Sequence, residues 1–171
     1  MMFLTVGHEM PFDRLVRAVD EWCRERNRSD VFGQIGDPGP AGYKPSQFEY
    51  KLFIEPDEYE RRFQEADLII AHAGMGSIIT ALTLPKPILI MPRHGALKET
   101  RNDHQVATAN RFASRSGIEV AVDEVQLGPA LDRLIDKQIA VGDAVASPFA
   151  EPQLLDTIRD FIHQNDGRAK S

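Results

Sequence analysis

The run His72-Ala73-Gly74-Met75-Gly76-Ser77 follows an apolar stretch, Asp67-Leu68-Ile69-Ile70-Ala71, and precedes a helical pattern from Ile78 to Leu84. Strand, glycine turn and helix start in that order make an anion site. Amides without intrahelical acceptors and the positive end of the helix dipole converge on one spot, and glycine lets a ligand approach the backbone. Ser77 is expected to cap that helix with its hydroxyl. An ordinary strand-to-helix turn, with glycine for tight packing, is the alternative. Further on, Asn102-Asp103-His104-Gln105 puts a carboxylate, an imidazole and an amide at a helix start. Such a set can both accept hydrogen bonds from hydroxyl groups and donate to them; plain capping is again the alternative. Between these two groups lies a polar loop with Arg93, His94, Lys98, Glu99 and Arg101. Arg93 and Lys98 are candidates to meet a phosphate or a carboxylate, or belong to a solvated loop.

The elements that must position these residues follow from hydrophobic periodicity. Met2 to Val6 reads as a first buried strand ending at Gly7-His8. Pro11 and Asp13 then open a helix with Phe12, Leu15, Val16, Val19, Trp22 and Cys23 on one face. Val31 to Ile35 is a second strand, the Gly- and Pro-rich run from Asp37 to Pro45 a loop, and Phe48 to Ile54 a third strand before an acidic helix from Asp57 to Glu65. The stretch already described supplies the fourth strand; Ile88-Leu89-Ile90-Met91 is the fifth. A helix from Asn102 or Asp103 to about Ser116, a sixth strand over Ile118 to Val122 and a helix over Leu127 to Asp136 complete the pattern. Ile139 to Pro148 reads as a connector, and Pro152 to Gln164 as a last amphipathic helix before a polar tail.

Strands alternating with helices imply an α/β protein with a parallel, doubly wound, Rossmann-like sheet of order 3-2-1-4-5-6. Ligands in such sheets bind at the carboxyl ends of the strands, where the order reverses between strands one and four. The turns Gly7-His8 and His72 to Ser77 are thereby expected to meet. Residues 1–150 read as one domain, and 151–171 as a C-terminal helix and tail whose apolar stripe either packs back on its own sheet or docks a partner.

Composition narrows the function classes. The chain has 171 residues, 42% of them hydrophobic, enough for one domain with a full core. A net charge of −6 argues against nucleic acid as a partner. The single cysteine, Cys23, excludes an internal disulfide and fits a core thiol. No apolar run approaches the ~20 residues that span a bilayer, and Met1 to Val6 lacks the form of a signal peptide. A cytoplasmic protein is expected. His94 and His104 have no adjacent carboxylate to complete a metal set, so no metal is expected. The first strand is not followed by Gly-x-Gly-x-x-Gly, and no Gly-Lys-Ser/Thr occurs, which disfavours a dinucleotide fingerprint or a P-loop.

The residues His72-Ala73-Gly74-x-Gly76-Ser77, Lys86-Pro87, Pro92-Arg93 and Asn102-Asp103-His104-Gln105 closely resemble the C-terminal, donor-binding half of glycosyltransferase family 28. Val6-Gly7-His8, Pro11 to Val16, Gln34-Ile35-Gly36 and Tyr43-x-Pro45 resemble its bacterial single-domain branch. The chain resembles subunits of two-subunit UDP-sugar transferases, one making dolichol-linked chitobiose and one a glucuronosyltransferase in bacterial exopolysaccharide synthesis. The likeness covers about residues 2 to 135. It implies one half of a GT-B glycosyltransferase, with the donor diphosphate held by Gly7, His8, Ala73, Gly74, Met75 and Ser77, and the donor sugar by Asp103, His104 and Gln105.

Two departures stand out. The loop at Gly7-His8 is one residue short, lacking a Thr, and Thr80 stands where relatives place a Glu for the ribose. The resemblance further implies an inverting transfer with a UDP-sugar as donor substrate and no cofactor. UDP-glucuronate and UDP-GlcNAc are the donors in view. The acceptor that the resemblance implies is a lipid-linked saccharide held by a membrane-anchored subunit, so the chain is expected to be peripheral to the inner face of the membrane. The catalytic base is expected on that partner, with His8 the only local candidate. A non-catalytic nucleotide-binding regulatory module of the same fold is the competing reading.

Overall fold

Short apolar runs become strands here because both faces of the sheet are covered. In the computed structural model, which describes residues 1–8 and 10–140 (side chains through 137), β1 (Met2–Thr5), β4 (Leu68–His72) and β5 (Ile88–Met91) form the centre. β2 (Val31–Gln34), β3 (Glu49–Lys51) and β6 (Ile118–Val120) lie outside them. All five pairings are parallel, in the order β3-β2-β1-β4-β5-β6, as expected from sequence. Thr5 is level with Gln34 on one side and Ala71 on the other, so the chain leaves β1 and β4 side by side.

Alternate residues feed two cores, as a strand's two-residue period requires. Leu4, Ile70 and Leu89 face α1 (Asp13–Arg26) and α5 (Glu124–Ala140) through Leu15, Val19, Trp22, Leu127 and Leu131. Phe3, Ile69, Ile88 and Ile90 face α2 (Pro56–Glu65), α3 (Met75–Thr83) and α4 (His104–Phe112) through Phe63, Ile78 and Phe112. Cys23 is fully buried, and burial pushes its thiol up to about 12, with Asp20 adding to the effect. It is an inert core group.

Several boundaries differ from the sequence reading. β3 covers only Glu49–Lys51 of the expected 48–54, because it is an edge strand with an exposed or half-exposed side-chain pattern. Its continuation still pairs by backbone, Gly36 N–H donating to the Leu52 carbonyl at 2.9 Å. β6 and α4 are shorter than expected, and α5 starts earlier, at Glu124, and carries Pro129 within it. The helix expected over Pro152 to Gln164 lies outside the described residues, as does most of the connector before it.

Candidate functional site

α3 starts three residues earlier than periodicity suggests, and that changes the part played by Ser77. Gly74 is the N-cap, with φ −90° and ψ 138°, and no side chain caps the helix. Ser77 is a buried residue of the first turn rather than the capping hydroxyl. Gly74 N–H bonds back to the His72 carbonyl at 2.7 Å. The N–H groups of Met75, Gly76 and Ser77 therefore lead the helix without intrahelical acceptors. Ala73 is buried beneath them, and the Met75 side chain packs against the second core, so Met75 offers its amide rather than its side chain.

His72 explains why glycines flank this place. Its imidazole lies between the two glycine turns. A Cβ on Gly7 would stand 2.8 Å from Cε1 of the ring; one on Gly74 would stand 2.9 Å from Cε1 and Cδ2 and closer still to Nε2. Gly7 also needs its freedom for a φ of 81°. For Gly74 the packing alternative accounts for the glycine: the ring, not a ligand, excludes a side chain. Burial holds the imidazole down to about 4, the charge of Arg93 adding to the effect and the Thr5 backbone opposing it. His72 is thus neutral at physiological pH. Its Nδ1 is buried and without a well-formed hydrogen bond.

The turn after β1 is tied to the sheet. Gly7 N–H meets Thr5 Oγ1 at 3.3 Å, and its carbonyl accepts from Gln34 Nε2 at 3.0 Å. Gln34 in turn accepts from the Thr5 hydroxyl at 2.8 Å and donates to the Leu52 carbonyl at 3.1 Å. The Gly7 backbone, expected to face a diphosphate, is occupied by these bonds. His8 is exposed, its ring 5.6 Å from that of Phe53.

Arg93 is the clearest correction. Expected as a charge on a loop, it is 4% exposed. Its guanidinium donates to the carbonyls of Val6 and Pro11 at 2.7 Å, of Met10 at 2.6 Å and of Glu99 at 3.3 Å, and it stacks over Phe12. The planar five-donor fork of arginine suits such a hub. It joins the loop after β1 to the loop after β5 instead of reaching for a ligand. Lys98 is exposed, with its backbone in the left-handed region at φ 57°.

At the head of α4 the expected sugar set is only partly open. Asp103, the N-cap, makes no side-chain cap; its Oδ1 accepts from Gly95 N–H at 2.8 Å. His104 is exposed, and its Nδ1 is paired with Asn102 Oδ1. Gln105 is 6% exposed, and its Oε1 accepts from Arg93 N–H at 3.2 Å. The amide nitrogen of Gln105 has no bond of its own among the described residues and is the donor left to read a ligand. The Thr80 hydroxyl donates to the Gly76 carbonyl at 2.9 Å, so toward a ribose it retains acceptor capacity alone.

Sequence reasoning does not single out Arg14 and Glu99 as site residues. Arg14 holds Glu99 through two bonds of 2.8 Å, and also reaches the Pro92 carbonyl and Glu124, each at 3.0 Å. Burial opposes the Arg14 charge, but the bonds to Glu99 and Glu124 outweigh it and raise its pKa. No local signal pairs two residues 85 apart. Among the described residues no group of three or more His, Cys, Asp or Glu is placed to hold a metal. No helix among them is long and apolar enough to cross a membrane.

An open doubly wound sheet with an amide cluster at its switch point defines the class, α/β proteins that take ligands at the carboxyl ends of their strands. Within that class the chain belongs to glycosyltransferase family 28, whose C-terminal domain matches residues 1–143. Among curated proteins it is similar to the mouse UDP-N-acetylglucosamine transferase subunit ALG13, 28% identical over 117 residues, 64% of this chain and 10% of that protein. The Saccharomyces cerevisiae protein of the same name is 26% identical over 150 residues, 65% of this chain and 72% of that one. A third relative is the UDP-N-acetylglucosamine--N-acetylmuramyl-(pentapeptide) pyrophosphoryl-undecaprenol N-acetylglucosamine transferase of Parasynechococcus marenigrum. It is 26% identical over 165 residues, 89% of this chain and 40% of that protein. The chain spans from 10% to 40% of the length of the first three curated relatives it matches. In fold it resembles the solution structure of ALG13, with a TM-score of 0.53 and 20% identity, covering 87% of this chain and 89% of that one. The calicheamicin glycosyltransferase CalG4 gives a TM-score of 0.55 at 16% identity, over 81% of this chain and 35% of that one.

Proposed function

We propose that this chain binds the donor in an inverting UDP-sugar transfer to a lipid-linked saccharide. The observation that carries the reading is the set of N–H groups on Met75, Gly76 and Ser77 at the switch point of the sheet, beside an uncharged His72. Amides and a helix dipole stabilise a leaving diphosphate as charge develops on it, with no requirement for a metal. The Gln105 amide nitrogen, Asp103 and His104 stand at the head of α4 to meet the sugar.

The acceptor hydroxyl attacks the anomeric carbon from the face opposite the departing UDP, and a general base removes its proton. His8 is exposed, its ring leans on Phe53, and no carboxylate among the described residues bonds to it to orient it. The base and the acceptor site therefore belong to a second, membrane-anchored subunit that brings this chain to the cytoplasmic face. Support comes from the relatives: three of those matched are named as subunits, and two others are named for an undecaprenol-linked substrate. UDP-glucuronate, with exopolysaccharide as product, and UDP-GlcNAc are the donors proposed. The regulatory alternative draws on Thr80, whose hydroxyl proton is held within its own helix.

Calorimetric titration of the full chain with UDP, UDP-GlcNAc and UDP-glucuronate tests the donor reading. Binding of UDP and preference for one sugar support it; absence of UDP binding rejects it. Sugar-dependent turnover with a co-expressed partner separates transferase from regulator.

A further inference from the structure

A continuous line of polar contacts runs from α1 to the head of α4. Arg14 Nε and Nη2 grip the two oxygens of Glu99, each at 2.8 Å. Glu99 Oε2 also accepts from His94 N–H at 2.9 Å. The next amide, Gly95 N–H, donates to Asp103 Oδ1 at 2.8 Å, and Asp103 is the N-cap of α4. The Arg14 and Glu99 side chains are only 14% and 13% exposed, so solvent weakens their pairing less than it would on an open surface. The loop they hold contains a 3-10 turn, Gly95–Leu97, followed by Lys98 in the left-handed region, a conformation that non-glycine residues adopt only when surroundings enforce it. Glu99 is the residue next to that bend.

The diphosphate amides hang on a different element. α3 is placed by β4 and by packing of Ile78 and Ala81 into the second core, and no hydrogen bond joins it to Arg14 or Glu99 among the described residues. Loss of the ion pair would remove the side-chain hold on the His94 amide, with Arg93 still on the Glu99 carbonyl, while leaving the glycine turn as it is.

We propose that Arg14 and Glu99 are positioning residues that set donor-sugar selection through the chain Glu99–His94 amide–Gly95 amide–Asp103. Neither residue touches the donor, and the inference rests on the donor-site reading above. A bidentate guanidinium–carboxylate pair has one geometry, which a lysine or a neutral amide does not reproduce. It fixes where the Asp103 carboxylate and His104 stand relative to a sugar whose diphosphate is held elsewhere.

The test is titration of the full chain and its Glu99→Ala, Glu99→Gln and Arg14→Lys variants with UDP, UDP-GlcNAc and UDP-glucuronate. In Glu99→Ala the affinity for the preferred UDP-sugar should fall about fivefold or more relative to UDP, the size of one hydrogen bond to the sugar. UDP affinity should stay within about twofold of wild type, since the α3 amides are untouched. Glu99→Gln, which keeps an acceptor for His94 N–H, should recover part of the ratio, and Arg14→Lys should fall between. The Gly95 amide should lose hydrogen-exchange protection in Glu99→Ala while the α3 backbone keeps its own. Equal weakening of UDP and UDP-sugar, or an unchanged ratio in folded variants, overturns the proposal. If Glu99→Ala does not fold, the milder two variants decide it by the same ratio. Wild-type protein that binds no UDP rejects the donor reading, and this inference falls with it. Wild-type binding with an unaltered ratio in the variants rejects this inference alone.

Discussion

The imidazole of His72 fills the volume that a side chain on Gly74 would occupy. Gly7 closes the other side of the same ring, so the two glycine turns at the switch point are packed against one residue. Gly74 differs from Gly7 in one respect: its φ of −90° is open to any residue, whereas the 81° of Gly7 is not. Gly74→Ala should therefore cost about 1–3 kcal/mol through overpacking, and His72→Ala in the same chain should recover most of it. Gly7→Ala should resist that rescue, because its backbone conformation stays strained. Denaturant midpoints of the single and double variants measure the difference; equal rescue at both positions would contradict the packing account.

The same burial makes stability depend on pH. The folded His72 titrates at about 4, below its ordinary 6.5, so the unfolded chain binds the proton more readily. Its contribution is fully present above pH 6.5 and is lost as pH falls from there toward 4, by roughly 1–3 kcal/mol. Melting temperatures of wild type and His72→Asn across that window should converge as acid is added. Parallel curves would show that the imidazole is not held neutral by the fold.

Arg93 should be a stability residue before it is anything else. Its guanidinium serves four main-chain carbonyls, and Arg93→Lys leaves most of them without a partner. Leaving the buried Val6 carbonyl without a partner costs about 1–3 kcal/mol, and the three part-buried carbonyls add smaller amounts. We expect a loss of about 3 kcal/mol or more in denaturant unfolding. A change below about 1 kcal/mol would mean that the two loops are held together by other contacts.

Gln105 has two ends with separate duties. Gln105→Ala removes the acceptor for the Arg93 amide and should lower stability by about 1–2 kcal/mol, which would blur any binding result. Gln105→Glu keeps that acceptor and replaces the amide donor. It should leave the fold intact and weaken a UDP-sugar more than UDP, by about 0.5–1.5 kcal/mol for one lost bond. Calorimetry on the glutamate variant reads this directly; equal weakening of both ligands would remove Gln105 from the sugar site.

Much of the architecture is legible in the amino-acid sequence. Runs such as Leu68 to Ala71 and Ile88 to Met91 are too short for helices and too apolar for a surface, so a two-sided parallel sheet is the place for them, and its strand order is the doubly wound one that alternating strands and helices imply. The glycine turn and the start of α4 are also local features, written in adjacent residues. What tertiary structure alone decides is which polar groups meet. Arg93 sits in a polar loop and reads as exposed, yet four carbonyls from two loops enclose it. Gly74 reads as room for a ligand, yet His72 fills that room. Arg14 and Glu99, 85 residues apart, carry no periodicity that joins them. Secondary structure arises from neighbours along the chain, and its signal repeats every two or 3.6 residues. A buried hydrogen bond depends on where separate loops come to rest once the cores have closed, and no interval in the sequence encodes that distance.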